Sequence, residues 1–410
     1  MSTRNSDTHS KSLSYYAWKK LKKNKLAMSG ITIIALAVLI AFLGSLIRPD
    51  ATQHANDQTL QLGKKKPGFS VQMLKVRKNF AVENPFILNR LFFGGVEDEY
   101  KNIPIYSYDF EDENIVIEEY TGSNDKYPGR KVSYNLADVV YKIDDDTKIK
   151  KNKTGELFFF TEGVSTKKEI NKLKEIVVEE NIDNQTYWLG TDQFGRDMLS
   201  RLMAGTLVSL SVGFISVFIS LLIGILFGAL SGYFRGWVDD LIMWCINVVW
   251  SIPTLLLVIA ITFTLGKGFW QIFVAVGLTM WVEVARIVRG QIITVREKDF
   301  IEASRALGFS NFRIVTKHIL PNVFGPVIVI SAANFASAII IESGLSFLGI
   351  GMQPPMASWG RMIKEHYGFI MADGAYLAIL PGLAIMVMVL AFMLVGNGLR
   401  DALDTTDNME

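Results

Sequence analysis

Six stretches of this chain are apolar over about 20 residues or more, the length a helix needs to cross the hydrocarbon core of a bilayer. Residues 27–47 carry no charge over 21 positions, and 202–234, 241–265 and 375–399 are equally free of charge. Residues 269–288 include Glu283 and Arg286, and 323–348 include Glu342, yet each keeps a long apolar run. In lipid every backbone amide and carbonyl needs an internal partner, so such segments are expected as helices. Half of the chain is hydrophobic (50% of 410 residues), and that content is gathered in blocks instead of spread through a soluble core. The expected class is an all-α membrane protein with six transmembrane helices.

Charge at the edges of these blocks gives a direction. Residues 18–25 carry five lysines beside the first span, and basic residues favour the cytoplasmic side. Threading six spans from that end puts 49–188 outside and returns the 286–317 loop, with its seven lysines and arginines, to the inside. Both termini are then cytoplasmic in a multi-pass protein of the cell membrane. No Ala-x-Ala cleavage site follows the first apolar run, so it is expected to be retained as a span. Cys245, the only cysteine, lies within a span, so the external region is expected to fold without a disulfide. The organisation is a cytoplasmic segment at 1–26, a first transmembrane helix at 27–48, an external insertion at 49–188, a five-helix core at 189–401 and a cytoplasmic tail at 402–410.

The insertion differs in kind from the rest. It holds 20 Lys and Arg against 24 Asp and Glu, a net of −4 that marks no single face. Short alternating or aromatic runs at 113–118, 131–134 and 156–160 predict strands, separated by turns such as Tyr127-Pro-Gly-Arg130. Ile170, Leu173, Ile176 and Val177 form one stripe and predict a helix over 166–180. About 140 residues can bury a core of their own, so an inserted extracellular α+β domain is expected.

Two polar segments beside the spans have legible local chemistry. Residues 191–202 (TDQFGRDMLSRL) predict a short amphipathic helix leading into the membrane, with Thr191 as cap and Asp192 four residues before Arg196. Asp192, Arg196 and Asp197 are its candidate functional residues. Residues 302–321 (EASRALGFSNFRIVTKHILP) predict two short helices bent at Gly308. Asp299 and Glu302 have capping-box spacing, Gly308 supplies the permissive backbone that ends the first helix, Ser310 caps a second through Ile319, and Pro321 stops it. Such an elbow transmits motion between a cytoplasmic partner and the spans on either side, whereas a flexible loop absorbs it.

The chain carries no recognisable catalytic apparatus. The Gly-x-x-x-x-Gly-Lys-Ser/Thr phosphate cradle is absent, because Gly266-Lys267-Gly268 lacks the upstream glycine and the hydroxyl residue. His9, His54, His318 and His366 are scattered, with no His-Glu-x-x-His pair, and Gly344-Leu-Ser-Phe runs into Leu348 where an esterase elbow needs glycine. No catalytic residue, metal site or bound cofactor is expected, so any energy source must be a partner.

The 302–321 segment resembles the EAA motif in permease subunits of binding-protein-dependent ABC importers. Glu302, Ala303, Gly308, Leu320 and Pro321 match at the motif's spacing, while Ser304 and His318 depart from it. The run Lys317-His-Ile-Leu-Pro-Asn322 is similar to the peptide-importer branch. Residues 189–201 (LGTDQFGRDMLSR) are similar to a signature of peptide and nickel importer permeases, and 342–351 with 354–360 resemble the stretch after the fifth span of the C-type subunit. The resemblance covers 13–48 and 187–402 and leaves 49–188 unmatched. It implies a type I ABC importer permease fold with oligopeptide cargo, dipeptides or nickel being the alternatives. It also implies a second, B-type permease, two cytoplasmic ATPases that use ATP and magnesium, and an external peptide-binding protein, with no role for nucleic acid. Glu302, Ala303, Arg305, Gly308 and Pro321 would then couple the chain, across a 290–321 loop, to the ATPases. A membrane receptor with an external sensing domain is the reading from another class.

Polar groups inside spans are candidates for a translocation pathway, namely Asn247, Asn334 and Glu342. A lipid-facing carboxylate at mid-bilayer costs about 2.5–3.5 kcal/mol, so Glu283 and Glu342 are expected to face protein or water. Glu283 and Arg286, three residues apart, are expected to pair.

Overall fold

A computed structural model describes residues 13–80, 82, 95–122, 129–144, 148–152, 155–266 and 268–403. Residues 1–12 of the amino-terminal segment, 404–410 of the tail, Lys267, and Tyr127 and Pro128 of the expected turn lie outside that set. The chain divides into two compact units. One is helical, with residues up to Ile40, Thr206–Glu365 and from Ile379 onward; the other comprises Ala41–Gly205 and His366–Ala378.

Among the described residues five helices are long and apolar enough to cross a bilayer: Lys25–Ile47, Met198–Phe234, Phe269–Arg296, Asn311–Phe347 and Tyr376–Leu403. A sixth candidate is broken, because Gly236–Ser251 and Thr254–Leu265 meet at 95°. The single span expected at 241–265 is therefore two half-helices. Pro253 supplies the break: it has no amide to donate, and it pushes Ile252 into an extended conformation (φ −91°, ψ 129°).

Phe269–Arg296 is the central helix, with 61% of its most apolar stretch buried against 28–39% for the other four. Met198–Phe234 approaches it along a row of glycines spaced by four. A Cβ at Gly224 would stand 2.5 Å from Val284 Cβ, one at Gly228 2.6 Å from the Ala285 carbonyl oxygen, and Gly232 continues the row against Arg289. Small residues at this spacing let helices close on one another in lipid, where burying apolar surface gives no drive. The first and last of the five helices meet in the same way, Gly30 against the Ala391 carbonyl and Gly398 against Ala27.

The other unit carries β1 (Phe69–Arg77), β2 (Tyr100–Glu111), β3 (Asn114–Glu119), β4 (Lys131–Asn135), β5 (Lys150–Lys151), β6 (Glu156–Thr161), β7 (Val164–Glu169) and β8 (Ile182–Tyr187). They form a five-stranded sheet in the order β4-β3-β2-β1-β8 and a three-stranded sheet β5-β6-β7, with every pairing antiparallel. The strands expected at 113–118, 131–134 and 156–160 are present, shifted by a residue at most. Glu162 and Gly163, both at positive φ (52° and 76°), make the tight turn from β6 to β7. That hairpin overturns the helix expected over 166–180. Thr166 to Glu169 pair with β6, and the helix is only Ile170–Ile176, followed by a wider turn over Val177–Asn181. Ile170, Leu173 and Val177 still form a stripe, buried with Leu74, Ile115, Ile117 and Phe159 in one core.

Candidate functional site

The elbow expected around Gly308 is present, and its two ends differ from expectation. A short helix, Asp299–Ala306, follows the central helix almost at once. Its cap position is Lys298 with no side-chain bond, so the Asp299/Glu302 capping box does not form; both acids sit inside the first turn, where the helix dipole favours them. Gly308 ends this helix as expected. At φ +75° its amide donates to the Arg305 carbonyl (2.9 Å), and the Phe309 amide reaches back to Ser304 (3.2 Å). Ser310 then caps the next helix, accepting from the Arg313 amide. Pro321 does not stop that helix. A wide π turn over Ile314–Ile319 leads into Leu320, and the helix runs on to Phe347. Proline is tolerated there because it falls in the first turn after the π segment, where its missing amide leaves no bond broken.

Burial seats both arms on the central helix. Ile301, Ile314 and Ile319 are fully buried in one cluster with Tyr233, Val288, Ile292 and Val295. Tyr233 ties the arms together: its hydroxyl donates to Asn311 (2.7 Å), and the guanidiniums of Arg296 and Arg305 lie 5.7 and 5.8 Å from its ring. Arg235 pairs with Glu297 beside it. Arg313 lies over Phe309 (4.2 Å), which stacks on His318 with 5.8 Å between ring centres. The motif departure at His318 is thus a packing contact within the elbow. Glu302, Ala303, Arg305, Gly308 and Pro321 are all exposed. Leu307 and Phe312, which the sequence reading passes over, are 73% and 79% exposed. Two large apolar side chains are thus held out from a support that is seated on the central helix. Their signal in the sequence is an apolar residue on each side of Gly308 amid polar neighbours.

The 191–202 segment is not helical until Met198. Gly190 and Gly195, at φ +76° and +75°, turn the chain, and Thr191 pairs with Asp197 in an isolated bridge. One carboxylate oxygen of the buried Asp192 accepts from the Phe194 and Arg196 amides (2.8 and 3.0 Å), and the other from Arg196 Nε (2.6 Å). The Asp192–Arg196 pair therefore forms in an Asx turn, because the carboxylate satisfies nearby backbone amides before a helix can. Asp197, and not Thr191, caps the helix, accepting from the Ser200 amide (2.7 Å). Burial pushes the Asp197 carboxyl above its ordinary range. Thr191 instead accepts from the Lys65 amide (2.9 Å), and the Ser200 hydroxyl accepts from the Asp50 amide (2.9 Å). These bonds tie the segment to residues more than a hundred positions earlier.

Of the three polar residues singled out in the spans, Glu342 and Asn247 have specific partners and Asn334 has none among the described residues. Glu342 is completely buried and accepts from Ser346 Oγ (2.7 Å), which itself accepts from the Met352 amide (3.0 Å), so the pair pins the turn after its helix. Asn334 is buried, and its side-chain atoms have no hydrogen-bond partner among the described residues. Asn247 accepts from Arg286 Nη2 (3.0 Å), and that guanidinium lies 3.6 Å from the centre of the Trp250 ring. The expected Glu283–Arg286 pair does not form. Arg289 grips both oxygens of Asp239 at 2.6 Å and clamps the start of the bent pair to the central helix.

Residues 224–406 match the family described as binding-protein-dependent transport system inner membrane component. Residues 12–67 match the N-terminal TM domain of oligopeptide transport permease C. The dipeptide transport system permease protein of Alkalihalophilus pseudofirmus is 40% identical over 218 residues, 53% of this chain and 71% of that protein. A glutathione transport system permease protein of Pectobacterium atrosepticum is 40% identical over 221 residues, 54% of this chain and 73% of that protein. Among solved structures, a methionine ABC transporter in an inward-facing conformation aligns at 20% identity and a TM-score of 0.43, covering 50% of this chain and 97% of its own.

Proposed function

The chain belongs to the family of binding-protein-dependent transport system inner membrane components, and from that membership we propose that it is the permease subunit of an importer for oligopeptides. As an inner-membrane permease subunit it crosses the bilayer several times and has no ATPase activity of its own. ATP and magnesium are used by two partner ATPases, and an external binding protein delivers the cargo. One observation carries the coupling: Leu307 and Phe312 stand exposed on an elbow whose three isoleucines are buried on the central helix. An ATPase that grips this patch moves the central helix with it. Glu302, Ala303 and Arg305 are contact residues, while Gly308 and Pro321 set the angle. A second, B-type permease offers the matching elbow to the second ATPase. ATP binding draws the elbows together and opens the pathway outward, and hydrolysis resets it.

The lysines at 18–25 and the basic 286–317 loop support six spans with both termini and the elbow in the cytoplasm, and residues 49–188 outside. There the sheet unit contacts the binding protein or the second permease. Dipeptide and glutathione in the names of the two relatives support a short-peptide cargo.

A tagged chain purified from its native membrane is expected to bring down two ATPases and a second permease. Cells lacking other peptide importers are expected to lose uptake across a peptide length series when this chain is deleted. A chain that comes down alone, with uptake unchanged by its deletion, would sink the proposal.

A further inference from the structure

The break in the bent pair and the carboxylate of Glu283 meet in one cavity. A space of about 290 Å³ within the helical unit is lined by Trp250, Ile252 and Thr254 from the two half-helices, Met280 and Glu283 from the central helix, and Ile340 from Asn311–Phe347. Glu283 sits midway along Phe269–Arg296, and among the described residues it forms no ion pair. The nearest cation in sequence, Arg286, is committed to Asn247 and the Trp250 ring. A carboxylate at that depth requires water or a cation beside it, since exposing it to lipid is costly.

The broken backbone makes the same demand independently. Irregular backbone at membrane depth is tolerated only where it is buried in protein or lines a wet cavity. Ser251, Ile252, Pro253 and Thr254 are all exposed, and two of them line this space. The carbonyl end of one half-helix and the amide end of the other meet at the break, so their dipoles largely offset and Glu283 sets the sign of the site. Its volume is at the small end of ligand pockets, which run from roughly 300 Å³ upward. One carboxylate, the hydroxyl residues Thr254, Thr279 and Ser337 among otherwise apolar walls, and limited room suit an ammonium group at the end of a larger molecule.

Resting on the peptide reading above, we propose that Glu283 recognises cargo by accepting a charge-assisted hydrogen bond from the peptide's amino-terminal ammonium at the bend. Glu283 is then a specificity residue of the pathway, and Asn247 and Trp250 are positioning residues that hold Arg286 away from it.

The test uses the complete complex of both permeases, both ATPases and the binding protein in proteoliposomes. Turnover is compared, at saturating loaded binding protein, for a peptide with a free amino terminus and for its des-amino analogue. Saturation confines the binding protein's own preference to KM. A hydrogen bond to a charged group contributes about 1.5–3 kcal/mol, so Glu283→Gln is expected to slow the free-amino peptide roughly ten- to a hundredfold. The des-amino analogue is expected to keep its rate, and Glu283→Asp to restore most of the difference. Equal slowing of both cargoes, or of neither, overturns the assignment. Failure of Glu283→Gln to assemble while Glu283→Asp assembles also overturns it, because the counter-ion then belongs to the second permease. A wild-type complex that carries neither peptide refutes the peptide reading itself, a separate result.

Discussion

Substitutions at Gly308 are expected to uncouple ATP hydrolysis from transport in a graded order. Its φ is +75°, and nothing lies within 4 Å of where a Cβ would stand, so backbone conformation alone sets the cost. A left-handed conformation costs an L-residue about 1–2 kcal/mol, which Gly308→Ala incurs in full and Gly308→Asn in part, because asparagine bonds locally. Gly308→Pro is forbidden at this φ and also removes the amide that donates to Arg305, a loss of about 3 kcal/mol or more. Against this stands the seat of the elbow. Removing one fully buried isoleucine costs about 2–5 kcal/mol, and Ile301, Ile314 and Ile319 are all in place. The seat therefore outweighs the strain of alanine, while proline separates the two arms. Measured as cargo moved per ATP in the reconstituted complex, Gly308→Asn should stay near wild type. Gly308→Ala should fall below it, by at most the roughly five- to thirtyfold that a strain of about 1–2 kcal/mol allows. Gly308→Pro should abolish coupling while basal ATPase activity and membrane insertion persist. Full coupling by Gly308→Pro at normal expression would falsify both the elbow geometry and its role.

Replacing Leu307 and Phe312 with serine should abolish co-purification of the ATPases without lowering the Tm of the permease, since both side chains are exposed; a retained ATPase, or a lowered Tm, contradicts a docking role. Gly228→Val places a Cβ 2.6 Å from the Ala285 carbonyl and should destabilise the solubilised protein by about 1–3 kcal/mol or more. Gly290→Ala, with open space around it, should be neutral, and equal effects in a thermal melt would contradict the glycine-row packing. Asp197 lends the sheet unit a pH dependence of unusual sign. Because burial raises its carboxyl above the ordinary 3.8, the folded state holds that proton more tightly than the unfolded chain does. Its contribution is present below 3.8 and is lost as pH rises through the raised value. The melting difference between wild type and Asp197→Asn should therefore favour wild type more at about pH 4 than at about pH 7, and a constant difference refutes the shift.

Where near neighbours decide the backbone, the sequence is readable. Gly308 stops a helix and Ser310 starts the next because a left-handed glycine and a hydroxyl cap need only the adjoining residues. The Asp192–Arg196 spacing is equally local yet ambiguous, since four residues suit a helical pair and an Asx turn alike; Gly190 and Gly195 decide for the turn. Thr166 to Glu169 precede a helical stripe in the sequence, and only their partners on β6, across a two-residue turn, draw them into a strand. Hydropathy finds the spans and misses the 95° break, because a proline in an apolar run is compatible with a kink as well as a full interruption.

Charges within spans are the hardest to read, for an energetic reason. Glu283 and Arg286 stand three apart, and a surface pair at that spacing gains about 0.2–0.5 kcal/mol. Arg286 instead meets Asn247 at 3.0 Å and the Trp250 ring at 3.6 Å. A hydrogen bond of about 1 kcal/mol and a cation–π contact of about 0.5–2 kcal/mol outweigh the local pair. Neither partner is a sequence neighbour: both come from the first half-helix of the bent pair. Losing Arg286 is what leaves Glu283 facing open space. Glu342, the same residue type in another span, meets the opposite fate, because Ser346 one turn on closes over it. A carboxylate in an apolar run thus announces polar surroundings, and whether these are the chain's own hydroxyls or room for a ligand is decided by which distant side chains take its neighbours away.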